Sequence, residues 1–151
     1  MNSVIFICTA NICRSPMATG LFRKIVGDTP EWRVESAGTW SIENQPAAIF
    51  SQEVLASRGI DISDHRSRSV SRELLAQFDL ILTMEAGHKE ALKIEFPEIA
   101  HRVYMLSEMV GAKYDITDPM GSSIDEFELT AVELEQIFER GLPKIKQLAG
   151  N

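Results

Sequence analysis

Cysteine is scarce in this sequence: Cys8 and Cys13, five positions apart, are its only two. They are too few and too close for a disulfide scaffold, and they match no zinc pattern. Long apolar runs are missing too, since none approaches the roughly 20 residues of a membrane-spanning helix. Residues 1–8 have neither the basic start nor the length of a signal peptide. Positive charge is in the minority: 15 Lys and Arg face 22 Asp and Glu, and the net charge of −7 disfavours general binding to nucleic acid or anionic membranes. Repeats, low-complexity stretches and linkers are absent as well. The expectation is one domain over residues 1–151, cytoplasmic by default.

What is there is concentrated in Ser3–Thr19, SVIFICTANICRSPMAT. Val4, Ile5, Phe6 and Ile7 form an apolar run of strand length, rich in β-branched and aromatic side chains. The run ends at Cys8, and a loop of small and polar residues follows. Ser15-Pro16 then reads as a helix start, with serine as the cap and proline at the first helical position. Strand, tight loop and helix N-terminus in that order gather inward-pointing amides and partial positive charge. The result is an anion site with a thiol at its base.

The spacing Cys8-x5-Arg14-Ser15 gives each part a task. A thiol attacks only as thiolate, and a helix N-terminus with a nearby cation favours that form. Arg14 offers a planar fork that matches two oxygens of a phosphoryl group, which lysine cannot. Ser15 is placed both to cap the helix and to hydrogen-bond the sulfur. Amides of Thr9, Ala10, Asn11, Ile12, Cys13 and Arg14 line the cup. On its own, Cys8-x5-Arg14 better fits a small buried hydrophobe and an ordinary surface arginine. The strand before it and the Ser-Pro start after it turn the reading to function.

Further along, apolar spacing at Met17, Leu21, Phe22, Ile25 and Val26 predicts a helix over 16–27, stopped by Gly27. Trp32 to Ser36 alternates as a second strand. Residues 38–45 read as loop, and 46–58 as a helix closed by Gly59. Ser71 caps a short helix reaching Phe78; 79–84 reads as a buried parallel strand, 85–95 as a helix and 103–106 as a short fourth strand. From Ser123, with Glu126 in capping-box position, a last helix runs to about Leu148; Phe127, Leu134, Phe138 and Ile145 mark its inner face. This alternation predicts an α/β fold: one four-stranded parallel sheet wound with helices on both faces, its phosphate loop between strand 1 and helix 1. Such sheets bind ligands beyond the strand C-termini at the switch point, where Cys8 falls.

Other residues carry two readings each. Asp118, held extended before Pro119, suits a proton donor to a leaving oxygen and equally an ordinary Asp-Pro turn; Asp115 is its neighbouring substitute. Trp40 either stacks on a flat substrate ring at a pocket mouth or packs under its own loop. Taken singly, Asn11, Ser36 and His65 read as a turn asparagine, a strand-end serine and a surface histidine, and His88 and His101 as solvated. Cys13 is either simple packing or the thiol that condenses with an oxidised Cys8 to a reversible disulfide.

Cys8-Thr9-Ala10-Asn11-Ile12-Cys13-Arg14-Ser15-Pro16 resembles the signature of the low-molecular-weight protein tyrosine phosphatases. The resemblance extends over nearly the whole chain, through Trp32–Gly38, Gly59–Asp61, His65–Arg68 and Asp118-Pro119. It implies a monomeric enzyme that hydrolyses phosphotyrosine through a cysteinyl-phosphate. Cys8 is then the nucleophile, Arg14 and the loop bind phosphate, and Asp118 is general acid and base. Trp40 stands at the pocket mouth, while Asn11, Ser36 and His65 hold the loop by hydrogen bonds. The implied partners are phosphotyrosine-containing proteins, with inorganic phosphate or other oxyanions as product or inhibitors; no metal or cofactor is implied.

The family usually has glycine where this chain has Ala10, a change that fits only a negative φ. Met120 and Gly121 stand where many eukaryotic members have a tyrosine pair, so one wall is less aromatic and regulation through those tyrosines is lost. Asp118–Asp125, DPMGSSID, also resembles the protein arginine phosphatases of the same fold. Those tend to have threonine where this chain has Ile12, and an apolar residue there favours an aromatic ester. Phosphotyrosine is therefore the first reading and phosphoarginine the alternative. Arsenate reduction relays electrons through further cysteines that this chain lacks. A silent phosphate-binding module is disfavoured by cysteine, arginine and aspartate standing together.

Overall fold

The apolar run that opens the chain is buried on both sides. In the computed structural model, which describes residues 1–27 and 29–150, β1 spans Asn2–Cys8, and every residue from Ser3 onward is buried. Val4 and Phe6 point into one core, Ile5 and Ile7 into another. A strand needs that uninterrupted apolar character only where helices cover both faces of its sheet. The other strands are β2 (Trp32–Gly38), β3 (Leu80–Thr83) and β4 (Val103–Met105). All pair in parallel, in the order β2-β1-β3-β4.

On one face lie α1 (Arg14–Val26), α2 (Ile49–Ala56) and α5 (Ile124–Ala149). Phe6, Phe22 and Phe138 tie β1, α1 and α5 together edge to face, with ring centroids 5.8, 5.5 and 5.1 Å apart. On the other face, α3 (Arg72–Leu75) and α4 (Ala86–Glu95) pack Leu74, Leu75 and Leu92 against Ile5, Ile7 and Ile81. The fold class is the one expected. From β1 the chain first builds outward to β2, then returns to place β3 on the other side. The C-terminal ends of β1 and β3 therefore flank the switch point, and Cys8 is the last residue of β1.

Several helix ends differ from expectation, each for a local reason. α1 begins at Arg14 with Cys13 as its N-cap and no side-chain cap, so Ser15 and Pro16 lie inside its first turn. Proline is harmless there because first-turn amides have no helical acceptor, and the Ser15 hydroxyl is engaged elsewhere. Ile25 is exposed rather than part of the inner face. α2 starts later than position 46, because the Ala48 amide donates to the Ile12 carbonyl at 2.8 Å and holds the preceding chain out of helix. Ser71 caps α3 as expected, accepting from the Leu74 amide at 3.1 Å. Ser123 makes no capping bond: the Glu126 amide donates to the Ser123 carbonyl instead, at 3.1 Å. Among the described residues, no helix is long and apolar enough to cross a membrane.

Candidate active site

Residues 8–14 form a loop whose shape is imposed from outside. The amides of Thr39 and Trp40 donate to the carbonyls of Cys8 and Thr9, at 2.9 and 3.0 Å. This approach requires Gly38, which ends β2 opposite Cys8: a Cβ there would lie 2.4 Å from the Thr9 carbonyl oxygen. Ala10 is not among the residues with positive φ. The left-handed position is Asn11, at φ 61°, and asparagine is among the few residues besides glycine that tolerate it.

Asn11 is fully buried, and both ends of its side-chain amide and its carbonyl are hydrogen-bonded. Its side-chain amide donates to Ser15 Oγ at 2.8 Å and to Ser36 Oγ at 2.9 Å. Its Oδ1 accepts from the Arg68 amide at 3.0 Å. Its carbonyl lies 2.7 Å from His65 Nε2, a contact that assigns the ring proton to Nε2. Burial, the largest influence, lowers the pKa of His65; the Asn11 carbonyl opposes this, and the Arg66, Arg68 and Arg23 charges reinforce it. The structure thus brings Asn11, Ser36 and His65 together behind the loop, and His65 is no free surface histidine.

On the inner side, Cys8 Sγ lies 2.9 Å from Ser15 Oγ. Since Ser15 already accepts from Asn11, its own proton is left to point at the sulfur. The Arg14 side chain is 1% exposed. Its Nη1 donates to Glu85 Oε2 at 2.6 Å and to the Ile116 carbonyl at 2.7 Å. Its Nη2 lies 3.6 Å from Asp118 Oδ2, and its buried Nε has no hydrogen-bond partner among the described residues. Two contacts pin one nitrogen of the fork, while the Nε–Nη2 edge keeps its donors for two ligand oxygens. Asp118 is 44% exposed and steadied by the Met120 amide, which donates to its Oδ1 at 3.0 Å. Asp115 is committed elsewhere, accepting from the Ala86 amide at the start of α4.

Cys13 is buried, its sulfur 3.9 Å from that of Met120. Burial above all, then the Asp118 carboxylate and Cys8, pushes its thiol up to about 12, with Arg14 opposing. Trp40 does not pack under its loop; it is 79% exposed. Two participants were not anticipated. Glu85, just past β3, pairs with Arg14, and His88 is buried rather than solvated, with its Nδ1 accepting from the Glu85 amide at 3.2 Å and its Nε2 lying 2.8 Å from Thr9 Oγ1. A Glu-x-x-His pair opening a helix at the ligand edge of the sheet was the available signal. His101 is exposed, as expected. Among the described residues, no three His, Cys, Asp or Glu side chains gather in a way that could hold a metal ion.

Residues 3–149 match the family described as low molecular weight phosphotyrosine protein phosphatase. The chain belongs to that family. The phosphatase is 33% identical over 148 residues to a probable low molecular weight protein-tyrosine-phosphatase of Ralstonia nicotianae, covering 98% of this chain and 99% of the relative. An arginine phosphatase from Geobacillus stearothermophilus superposes with a TM-score of 0.90 at 32% identity, covering 97% of this chain and 94% of its own. A low molecular weight protein tyrosine phosphatase from T. tengcongensis gives 0.88 at 39% identity, covering 95% of this chain and 99% of its own. The phosphatase is accordingly a phosphoric monoester hydrolase that acts on phosphoproteins.

Proposed function

We propose that this phosphatase removes phosphate from phosphotyrosine in proteins through a cysteinyl-phosphate intermediate. The observation that supports this most is one grouping: Cys8 Sγ beside the Ser15 hydroxyl at 2.9 Å, with Arg14 Nη2 at 3.6 Å from the half-exposed Asp118 carboxylate. The Cys8 thiolate attacks phosphorus in line, and the bond to the tyrosyl oxygen breaks. Arg14 and the amides of Thr9, Ala10, Asn11, Ile12, Cys13 and Arg14 hold the equatorial oxygens while their charge spreads. Asp118 gives its proton to the leaving phenolate, and the resulting carboxylate takes one from the water that attacks the thiophosphate. Phosphate leaves and the thiolate returns, stabilised by Ser15. Trp40 offers its ring to the substrate's aromatic face, and Asn11, Ser36 and His65 keep the loop in shape. No metal or cofactor enters these steps.

A second reading has specific support. An arginine phosphatase is among the nearest solved folds, and DPMGSSID follows the pattern of that class. Ile12 argues for tyrosine: an apolar β-branched side chain suits an aromatic ester, whereas a hydroxyl suits a water-assisted phosphoramidate reaction.

We place the enzyme in the cytoplasm as a monomer, its partners being phosphoproteins and, as product or inhibitors, phosphate and other oxyanions, with no nucleic acid or membrane. A nucleophilic thiol needs a reducing compartment, and both cysteines are free. Peroxide oxidises Cys8 to a sulfenic acid, which condenses with the Cys13 thiol to a disulfide and releases water. The test of function is a substrate panel of phosphotyrosine, phosphoarginine and phosphoserine peptides, run with wild type and Cys8→Ser side by side. Wild type is expected to prefer phosphotyrosine and the variant to be inactive. A preference for phosphoarginine would transfer the assignment to the second reading.

A further inference from the structure

Outside the reacting groups, one buried side chain joins two parts of the site that the sequence keeps far apart. His88 sits on the first turn of α4, 7% exposed. Its Nδ1 accepts the Glu85 amide proton at 3.2 Å, so its proton is on Nε2, which donates to Thr9 Oγ1 at 2.8 Å. Thr9 directly follows the nucleophile. Glu85 is the N-cap of α4, and its carboxylate accepts from Arg14 Nη1 at 2.6 Å. Thr9, His88, Glu85 and Arg14 thus form one chain of contacts from the first loop residue to the phosphate-binding guanidinium.

We propose that His88 is a positioning residue for phosphoryl transfer, holding Thr9 and the Glu85–Arg14 pair in register as the neutral tautomer with its proton on Nε2. The proposal rests on the phosphatase reading and adds to it a residue that touches no substrate. Only the neutral ring can do this, because a protonated Nδ1 no longer accepts from the Glu85 amide. The charged groups that face the ring are Glu85 on α4, Arg14 on α1, and Asp115 and Asp118 on the loop before α5. Burial, the largest influence, favours the neutral form; Glu85 opposes it, Arg14 supports it, and Asp115 and Asp118 oppose it, the net shift being downward. The acid limb of catalysis accordingly contains a component in which His88 gains a proton and gives up the Glu85 amide.

Glutamine reproduces the contacts without the titration. Its Oε1 can accept from the Glu85 amide, as in an ordinary capping box, and its amide can donate to Thr9. The test is kcat/KM for p-nitrophenyl phosphate across the acid range for wild type, His88→Ala, His88→Gln, Thr9→Val and Thr9→Val/His88→Ala, with a melting curve for each. His88→Ala is expected to lose about tenfold, the scale of one or two hydrogen bonds. His88→Gln is expected to stay within about twofold and to show a shallower acid limb than wild type. Thr9→Val is expected to cost about as much as His88→Ala, and the double variant little more than either. Costs of the two single changes that multiply, or a glutamine variant as impaired as alanine with the wild-type acid limb, would overturn the proposal. If His88→Ala does not fold, the acid limb of His88→Gln and the cost of Thr9→Val carry the test alone. Wild-type turnover in the same assay tests the phosphatase reading separately.

Discussion

Asp118 Oδ2 lies 3.6 Å from Arg14 Nη2, which places a half-exposed carboxylate beside the guanidinium edge left free of protein acceptors at Nε. A carboxyl at that point can reach the leaving oxygen while Arg14 holds the other oxygens. Asp118→Ala is expected to lower kcat/KM, which reports formation of the cysteinyl-phosphate and not its hydrolysis, by roughly 10²–10⁴-fold on phenyl phosphate. The loss should be much smaller on 2,4-dinitrophenyl phosphate, whose leaving group departs without a proton. Equal losses on both esters in steady-state assays would remove Asp118 from the role of acid.

Asn11 combines a left-handed backbone with three side-chain hydrogen bonds. Asn11→Ala meets both costs, the conformational one at ~1–2 kcal/mol and that of stranded buried partners at ~1–3 kcal/mol. Asn11→Gly relieves only the first. Urea melts should order the variants as wild type, then glycine, then alanine, with KM for phosphate esters raised in both. Alanine as stable as wild type would mean that the loop does not depend on this residue.

His65 is half-buried and His88 buried, and both have lowered pKa values, chiefly from that loss of solvent. In the unfolded chain each takes a proton near the ordinary 6.5; in the folded protein each does so only at lower pH. Between those points the unfolded chain binds more protons, so stability falls as pH drops below the ordinary value and levels off once both rings are charged even when folded. Calorimetry from about pH 7.5 to about pH 5 should show the melting temperature declining through this window, less steeply in His65→Gln. A melting temperature flat across the window would contradict the assignment of neutral rings.

Much of this arrangement was legible in the residues themselves. Val4–Ile7 followed by Cys8, the loop and Arg14 read as strand, tight loop and helix start, and they stand in that order, because apolar periodicity and helix-start chemistry are local properties. What stayed hidden was tertiary. Ser15 looked like a helix cap, yet its hydroxyl is claimed by Cys8 and Asn11. Ser123 looked like half of a capping box, yet its own carbonyl takes the amide that its side chain would have bonded. His88 reads as solvated because nothing nearby in sequence shows that Thr9, just past the neighbouring strand β1, lies within hydrogen-bonding distance. Ala10 against Asn11 was a question of which residue carries the positive φ, and only the backbone answers it.

Ile12 is the residue on which the choice between two phosphorylated side chains turns, and its carbonyl is anchored by the Ala48 amide at 2.8 Å. The backbone should therefore survive a change of side chain. Ile12→Thr is expected to raise the ratio of phosphoarginine to phosphotyrosine hydrolysis by about tenfold, the size of one hydrogen-bonding group gained in a pocket. An unchanged ratio in a competition assay with both peptides would show that specificity is set elsewhere.

The most direct measurement is rapid-quench mass spectrometry of the phosphatase mixed with a phosphotyrosine peptide. The wild-type enzyme serves best, since Asp118→Ala slows formation of the intermediate from a tyrosyl ester as well as its hydrolysis. The expected result is a phosphoryl adduct on the Cys8 peptide that forms before phosphate is released and is absent from Cys8→Ser. Turnover with no adduct on Cys8, or a Cys8→Ser variant that still releases phosphate at the wild-type rate, would contradict the account.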